Sequence, residues 1–425
     1  MDTPIYDRPV YALGAVSEET GVKPATLRAW ERRYGLPNPG RSEGGHRLYS
    51  QRDVDTVKWL LARQREGMRI HGAVALWQGL RAEGRDPMRS VSEAPQVRGQ
   101  TMQALREEWV AACMAFDEAR AEQALTEAFA RYPPETVCVE LLIAGIASIG
   151  QAWYEGRATV QQEHFASALA MRRVESLLLA APPPTRTGRI LTVCPPGEQH
   201  TFGLLTLTYL LRRHGWETLY LGANVPLARL SEVLRTVRPA LIVSTAFQLP
   251  TAAALIEVAR LGAQEGILLA YGGGILEQAS VRERLPGHYL GAHMADVPRQ
   301  VERLLSSAPS QPPLPTLPDA YRQALAHYNE RLLQIEGELA AQRPDLAREG
   351  WFRMANRELA RHISAALVLG EIGLLDESMA WLQGMGEGEA VPAAVLDDYI
   401  RAYAQAARVQ LDDRCRPVLA WLDRG

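Results

Sequence analysis

Between residues 187 and 306 the chain alternates strand-forming runs with helix-forming ones, and this rhythm limits the fold more than any other feature. The runs "RILTV" (189–193), "ETLYLG" (217–222), "ALIVST" (240–245) and "GILLAYGG" (266–273) are short and mostly apolar, and amphipathic helical stretches separate them. Apolar strands joined by helices bury both faces of a sheet, which predicts a doubly wound α/β domain with mostly parallel strands. Ligands of such sheets sit beyond the carboxyl ends of the strands, where the strand order reverses. The loop after the first strand, "PPGEQHTFG", places Glu198 and His200 at that position, with Gly203 three residues beyond the histidine. An imidazole presented there can bind a metal while a carboxylate accepts its other ring proton and fixes the tautomer. A histidine satisfied within its own loop gives the same pattern. Ser244 and Thr245 end the third strand and Gly272, Gly273 and Gly274 the fourth, so small residues leave room at the sheet edge for a threaded ligand tail. No GxGxxG loop or Walker lysine competes for the crevice, and the strand ends lack the aspartates of a phospho-receiver.

Helical periodicity surrounds this domain. Residues 100–181 predict a bundle of about four helices, with apolar residues three and four apart. Within it "WYEGRATVQQEH" sets Trp153 ten positions before Glu163 and His164, which are expected at the start of a helix beside the tryptophan loop. A buried tryptophan next to a helix-capping acid reads the same way. Residues 319–425 predict a second helical bundle, with Trp351, Trp381 and Trp421 on apolar faces and His362 and Cys415 as nominal ligand candidates. Pro-, Ser- and Gly-rich stretches at 81–100, 181–188 and 306–318 read as linkers. The expected domains are therefore 1–80, 100–181, 187–306 and 319–425, a multidomain α and α/β protein.

The first domain is basic. Residues 23–69 hold eleven Lys and Arg against five Asp and Glu, in a chain whose formal charge is −3. A basic block on an acidic body suggests a module that meets a polyanion. Its order is informative: Ser17 is placed to cap a first helix, Gly21 to end it, and Pro24 to open a second, which predicts a helix-turn-helix. On the second helix Thr26, Arg28, Arg32, Arg33 and Tyr34 can face nucleic acid while Leu27 and Trp30 pack inward. The turn "GGHRLY" then offers Arg47 and Tyr49 as a wing pressed against the phosphate backbone.

The segments "LRAWERRYGL" and "GHRLY" closely resemble the winged DNA-binding domain of the MerR family, which implies binding to an inverted repeat in double-stranded DNA as a homo-oligomer, dimer or tetramer. The ExHxxG loop with its small strand ends resembles the Rossmann-like cobalamin-binding domain. There the resemblance implies that His200 ligates cobalt and that the displaced base lies near Ser244 and the glycines, with Glu198 standing where the familiar pattern has aspartate. Together with Trp-x9-Glu-His the set resembles the MerR-type cobalamin photoreceptors of the CarH/LitR group. The resemblance covers about residues 10–305 and implies a repressor controlled by light through adenosylcobalamin, with Trp153, Glu163 and His164 capping the upper ligand. It also marks a departure, since Tyr154 stands where that group has the histidine that captures cobalt after illumination. The stretch "DDYIRAYAQAARVQLDDRCRPVLAWL" faintly resembles a bilin-binding extension, and an oligomerisation bundle accounts for it equally.

The remaining composition narrows the function classes. Four cysteines without a CxxC pair, Cys113, Cys138, Cys194 and Cys415, argue against a zinc site and a disulfide framework. No basic-then-apolar leader opens the chain, and the longest apolar stretch is interrupted by Glu140. A cytoplasmic protein away from membranes is expected. A corrinoid enzyme would need a substrate-holding barrel of about 250 residues, whereas the region from 319 onward shows no βα alternation. A carrier leaves "LRAWERRYGL" unexplained. A non-enzymatic, cobalamin-dependent transcriptional regulator is the expectation.

Overall fold

The computed structural model describes residues 8–41, 44–65, 68–82, 101–307, 309–376 and 392–424. The chain folds as two compact units, Met1–Gly99 and Gln100–Gly425.

In the first unit, helix Leu13–Thr20 ends at Gly21, whose φ of 72° is the left-handed conformation that glycine adopts without a Cβ penalty. Helix Pro24–Tyr34 starts on proline, as predicted, and buries Leu27 and Trp30. These side chains, with Val16, Val54, Val57 and Leu60 from the flanking helices, make one small core. A three-stranded antiparallel sheet in the order β1–β3–β2 forms the wing, from Tyr11–Ala12 (β1), Gly40–Arg41 (β2) and Arg47–Tyr49 (β3). Ser17 does not cap the first helix. It lies inside it, and its hydroxyl donates to the Val22 carbonyl at 2.8 Å, so it ties the turn from within. Helices Gln51–Arg65 and Ile70–Ala82 complete the unit; of the expected linker 81–100, residues 81–82 are the end of the second of these helices and 83–100 lie outside the described residues.

The second unit begins with the expected bundle: Met102–Met114, Glu118–Arg131, Pro134–Tyr154 and Val160–Leu179. Helix Pro134–Tyr154 is long and apolar enough to cross a membrane, yet it buries Val137, Cys138, Leu141, Leu142 and Ile149 in the bundle core. Its segment Val137–Ile143 is π-helical. Thr159 starts the last helix in a capping box with Gln162, which sets Glu163 and His164 in its first turn.

The sheet is parallel, with order β5–β4–β6–β7–β8 for Arg189–Val193 (β4), Glu217–Tyr220 (β5), Leu241–Thr245 (β6), Leu268–Gly272 (β7) and His288–Tyr289 (β8). The four expected strands are present, and β8 was hidden from sequence by its length of two residues. Order reverses at the β4/β6 boundary, so the crevice lies beyond the ends of those strands. Helix Phe202–Arg213 covers one face and lends Leu205, Tyr209 and Leu210 to the bundle's core. The opposite face, through helix Leu249–Gln264, shares a single core with the C-terminal helices Asp319–Gln342, Phe352–Leu369 and Ala393–Gln410. Trp351 is half-buried and packs edge-on to Tyr399, while the Trp421 indole donates to Asp376 at 2.7 Å; Trp381 lies outside the described residues.

Candidate functional site

The crevice is organised around a buried carboxylate. Glu198 is 1% exposed and accepts four hydrogen bonds. Its Oε1 takes the His200 backbone N–H at 2.9 Å and Nδ1–H at 2.6 Å, and its Oε2 takes the Phe247 N–H and the Thr251 hydroxyl, both at 2.8 Å. Burial pushes the Glu198 pKa up, but the hydrogen bond and charge of His200 and the two backbone donors outweigh it, so the net shift is downward. The same hydrogen bond raises the His200 pKa against the opposing effect of burial. With Nδ1 bound to Glu198, Nε2 is the nitrogen left to meet a ligand, and the His200 side chain is 55% exposed. The ring leans on Phe247 with centroids 5.0 Å apart.

Open space lies where a large flat ligand would need it. A Cβ built on Gly203 would meet nothing nearer than the Met294 methyl at 4.0 Å, and one on Gly272 would meet nothing within 4 Å. Gly273 is different: its φ is 118° and a Cβ would collide with the Ala246 carbonyl and the Thr245 hydroxyl, so its role is to let the β7 loop turn. Ser244 is buried and donates to the Val193 carbonyl at 2.7 Å, and Thr245 is buried beside it. Among the described residues no group of three His, Cys, Asp or Glu could hold a bare metal ion. A lone, carboxylate-oriented imidazole beside open space therefore fits a metal that brings its own equatorial ligands, as the cobalt of a corrin does.

The bundle reaches this crevice. Glu163 accepts from Ser167 at 2.6 Å, contacts His164 Nδ1 at 2.8 Å, and lies near enough for its charge to raise the His200 pKa. Trp153 is half-buried at the end of its helix, His164 is exposed, and the Tyr154 side chain is exposed. Arg213 and Glu135 pair at 2.6 Å, joining the sheet's covering helix to the bundle.

In the first unit Arg28, Arg32 and Arg33 lie along the second helix, with Arg33 stacked over the Tyr34 ring at 5.6 Å. Thr26 and Tyr34 share that helix. Arg47 is tied to Glu31 at 2.7 Å, which fastens the wing to it. Tyr49 corrects the sequence reading: it is fully buried in the core, its hydroxyl included, and cannot press on a phosphate. Arg47 and Tyr49 share a face of β3, but only the strand's end packs under the helices. The nominal ligands of the C-terminal block are also interior. His362 Nδ1 meets the Glu358 carbonyl at 2.8 Å, and Cys415 is buried with its sulfur 3.4 Å from the Ala324 carbonyl and its thiol pushed up to about 11.

Sequence reading missed Phe247, Thr251 and Arg361. The first two follow β6, the other strand of the switch, so the order reversal was itself the signal that this loop closes on the His200 loop. Arg361 had no local signal, since it comes from the C-terminal block.

Three family models match the chain: a MerR HTH family regulatory protein over residues 11–80, and two B12 binding domains over 105–178 and 188–296. The chain is thus a MerR-type helix-turn-helix regulator joined to a B12-binding module. It belongs to the family of the HTH-type transcriptional repressors CarH and CarA of Myxococcus xanthus. It is 35% identical to CarH over 233 residues, 54% of this chain and 76% of that protein, and 35% identical to CarA over 227 residues, 53% and 72%. Among solved structures, the methanol:cobalamin methyltransferase complex MtaBC from Methanosarcina barkeri is 22% identical, covers 53% of this chain and 86% of its own, and has a TM-score of 0.28.

Proposed function

We propose that this protein is a cytoplasmic, light-responsive repressor that binds an inverted-repeat operator as a homo-oligomer and sets its DNA affinity by the state of bound adenosylcobalamin. The observation that carries the reading is His200, held by buried Glu198 with Nε2 free beside the open flanks of Gly203 and Gly272. When bound, cobalamin would supply a cobalt centre able to take an imidazole ligand and to carry a photolabile bond. His200 would be the lower ligand, Ser244, Thr245, Gly272 and Gly273 the walls of the tail, and Trp153, Glu163 and His164 the cap over the upper face. Glu198 keeps the proton on Nδ1 and so presents the Nε2 lone pair. Arg28, Arg32 and Arg33, with Thr26, Tyr34 and Arg47, would meet DNA, the arginines providing a salt-dependent attraction. Such a cofactor at about one hundred times its dissociation constant contributes roughly 2.7 kcal/mol to the assembly that binds it, enough to reweight oligomers of similar energy. His362 and Cys415 are both interior, so neither is open to attach a bilin covalently.

The test is one absorption spectrum of the purified chain with adenosylcobalamin, before and after green light, repeated for His200→Ala. An imidazole-ligated spectrum in the parent that is absent from the variant supports the assignment. Identical spectra would reduce His200 to a loop residue. Tyr154 sharpens the light response: a phenol hydroxyl is a poorer cobalt ligand than an imidazole. The illuminated spectrum should therefore lack a lasting bis-histidine signature. A stable signature that survives in His164→Ala would contradict this. Complete absence of a light response would make the protein a cobalamin sensor.

A further inference from the structure

An open groove of about 650 Å³ runs between helix Leu249–Gln264 of the α/β layer and helices Asp319–Gln342 and Phe352–Leu369 of the C-terminal block. Its walls are mainly apolar, including Ala253, Ala254, Leu332, Leu333 and Val368, and Leu333 is 80% exposed. Arg353, Arg357 and Arg361 line it at four-residue spacing, which puts them on one face of their helix. Their charges are incompletely answered. Glu358 pairs with Arg357 at 3.3 Å and Arg361 at 3.0 Å, while Arg353 has no acidic partner among the described residues. Of the two glutamates in the lining, Glu257 is engaged by Arg260 at 2.7 Å and Glu336 stands on the opposite helix. Asn356 lies in the lining at 5% exposure; Tyr399 donates to its Oδ1 at 2.7 Å, and its Nδ2 is buried with no acceptor. The enclosed Asn356 amide is not reachable from the groove, but the unanswered charge of Arg353 beside apolar walls asks for an occupant with an anionic head on a hydrocarbon body.

We propose that this groove binds an amphipathic carboxylate of the medium-chain fatty-acid type, with its head on Arg353 and Arg357 and its chain along the alanine and leucine walls, and that occupancy is felt at His200. The groove shares two parts with the His200 loop. Helix Leu249–Gln264 provides one wall and also Thr251, whose hydroxyl holds Glu198 at 2.8 Å. Arg361 lies against Gly197, where a Cβ would sit 2.7 Å from its Nη2. A ligand that draws on Arg361 or shifts that helix alters the support of Glu198, and linkage requires cobalamin and carboxylate to change each other's affinity by the same factor. This coupling rests on the cobalamin reading; the binding itself does not.

The experiment uses the full chain without cobalamin, the fluorescent probe 11-(dansylamino)undecanoic acid, and dodecanoate as competitor. Saturable binding to one site is expected, displaced by dodecanoate and not by dodecyltrimethylammonium. It should weaken about tenfold or more in Arg353→Ala with Arg357→Ala, both exposed positions whose loss leaves the core intact, and it should vanish in Ala254→Trp. Binding unchanged in these variants, equal displacement by the cationic amphiphile, or absence of probe binding with a dimer that Leu333→Asp dissociates would each overturn the site. Cobalamin titrations with and without dodecanoate then test the coupling, and equal affinities would refute it. If the probe binds as described but cobalamin does not bind at all, the cobalamin reading has failed and the groove assignment stands.

Discussion

Glutamine at position 198 is the most informative substitution in the crevice, because an amide cannot satisfy the donors that the carboxylate satisfies. Each oxygen of Glu198 faces a backbone N–H, that of His200 on Oε1 and that of Phe247 on Oε2. A backbone N–H only donates. Whichever way the amide is turned, its NH₂ group faces one of them. Glu198→Gln thus sets one part-buried backbone donor against another donor, at about 1–3 kcal/mol, and turns the remaining charge-assisted bonds into weaker neutral ones. The ligand-free chain should lose roughly 2–3 kcal/mol locally. Hydrogen exchange at the Phe247 and His200 amides reads that loss directly, since local opening reports the stability of its own segment.

The effect on the cofactor follows from the same geometry. Without the carboxylate, His200 is no longer fixed with its proton on Nδ1, and groups that orient a ligating histidine are typically worth ~10–100-fold in metal affinity. Cobalamin titration should show that loss in Glu198→Gln and a larger one in His200→Ala. Glu198→Asp should fall between the parent and Glu198→Gln: it keeps the charge, but with one methylene fewer it cannot span from His200 Nδ1 to both Phe247 and Thr251. The reasoning is refuted if Glu198→Gln exchanges and binds like the parent. It also fails if Glu198→Gln loses affinity while His200→Ala does not, because the carboxylate would then act by some route other than the imidazole.

Operator binding should weaken in Arg28→Ala and Arg33→Ala, read by gel shift over a range of salt, and Arg47→Ala should flatten the salt dependence by removing the phosphate contact proposed for it and releasing the wing from Glu31; unchanged affinity in all three would exclude these residues from the proposed interface. Tyr49→Phe should leave operator binding as it is and keep or slightly raise thermal stability, since the hydroxyl it deletes is buried without a partner; a large loss of DNA affinity would return Tyr49 to the interface. His362 gives a pH dependence: burial lowers its pKa, only partly offset by the Glu358 carbonyl, so below about pH 6.5 the unfolded chain takes up a proton that the folded one refuses. Stability therefore falls as pH drops through that range, and denaturation midpoints of His362→Gln should fall less steeply than those of the parent.

The parts legible in the sequence were those fixed by local chemistry. Gly21 and Pro24 mark the ends of the two DNA-binding helices because each residue type serves one backbone geometry, and both stand where expected. The strands from 189 to 272 announced themselves through β-branched runs, and His200 follows from the rule that the loop after the first strand faces the crevice. What failed depended on tertiary packing. Ser17 has the right chemistry for a cap, but the helix extends to Leu13 because Val16 enters the core. Tyr49 has the chemistry of a DNA contact, and only the placement of β3 under the helices shows that its ring is interior. The partners of Glu198 on Oε2 come from the loop after β6 and the first turn of helix Leu249–Gln264, about fifty residues away, which no local pattern could reveal.

The C-terminal block shows how far such non-local contacts reach. Its composition reads as a separate helical bundle behind a proline-rich linker, and as a series of elements it is one. Yet Tyr328, Leu359, Ile363 and Tyr399 share a continuous core with Leu191, Val193 and Ile242 of the sheet, through helix Leu249–Gln264. In a doubly wound fold both faces of the sheet need helices, and the helices of this face need cover in turn wherever they are apolar on more than one side. Helix Leu249–Gln264 meets that condition, with Leu249, Ala252, Leu255, Val258, Ala259 and Leu261 all buried. The block is therefore an outer layer of the α/β unit, and Arg361, lying against Gly197, makes it a layer that touches the histidine loop.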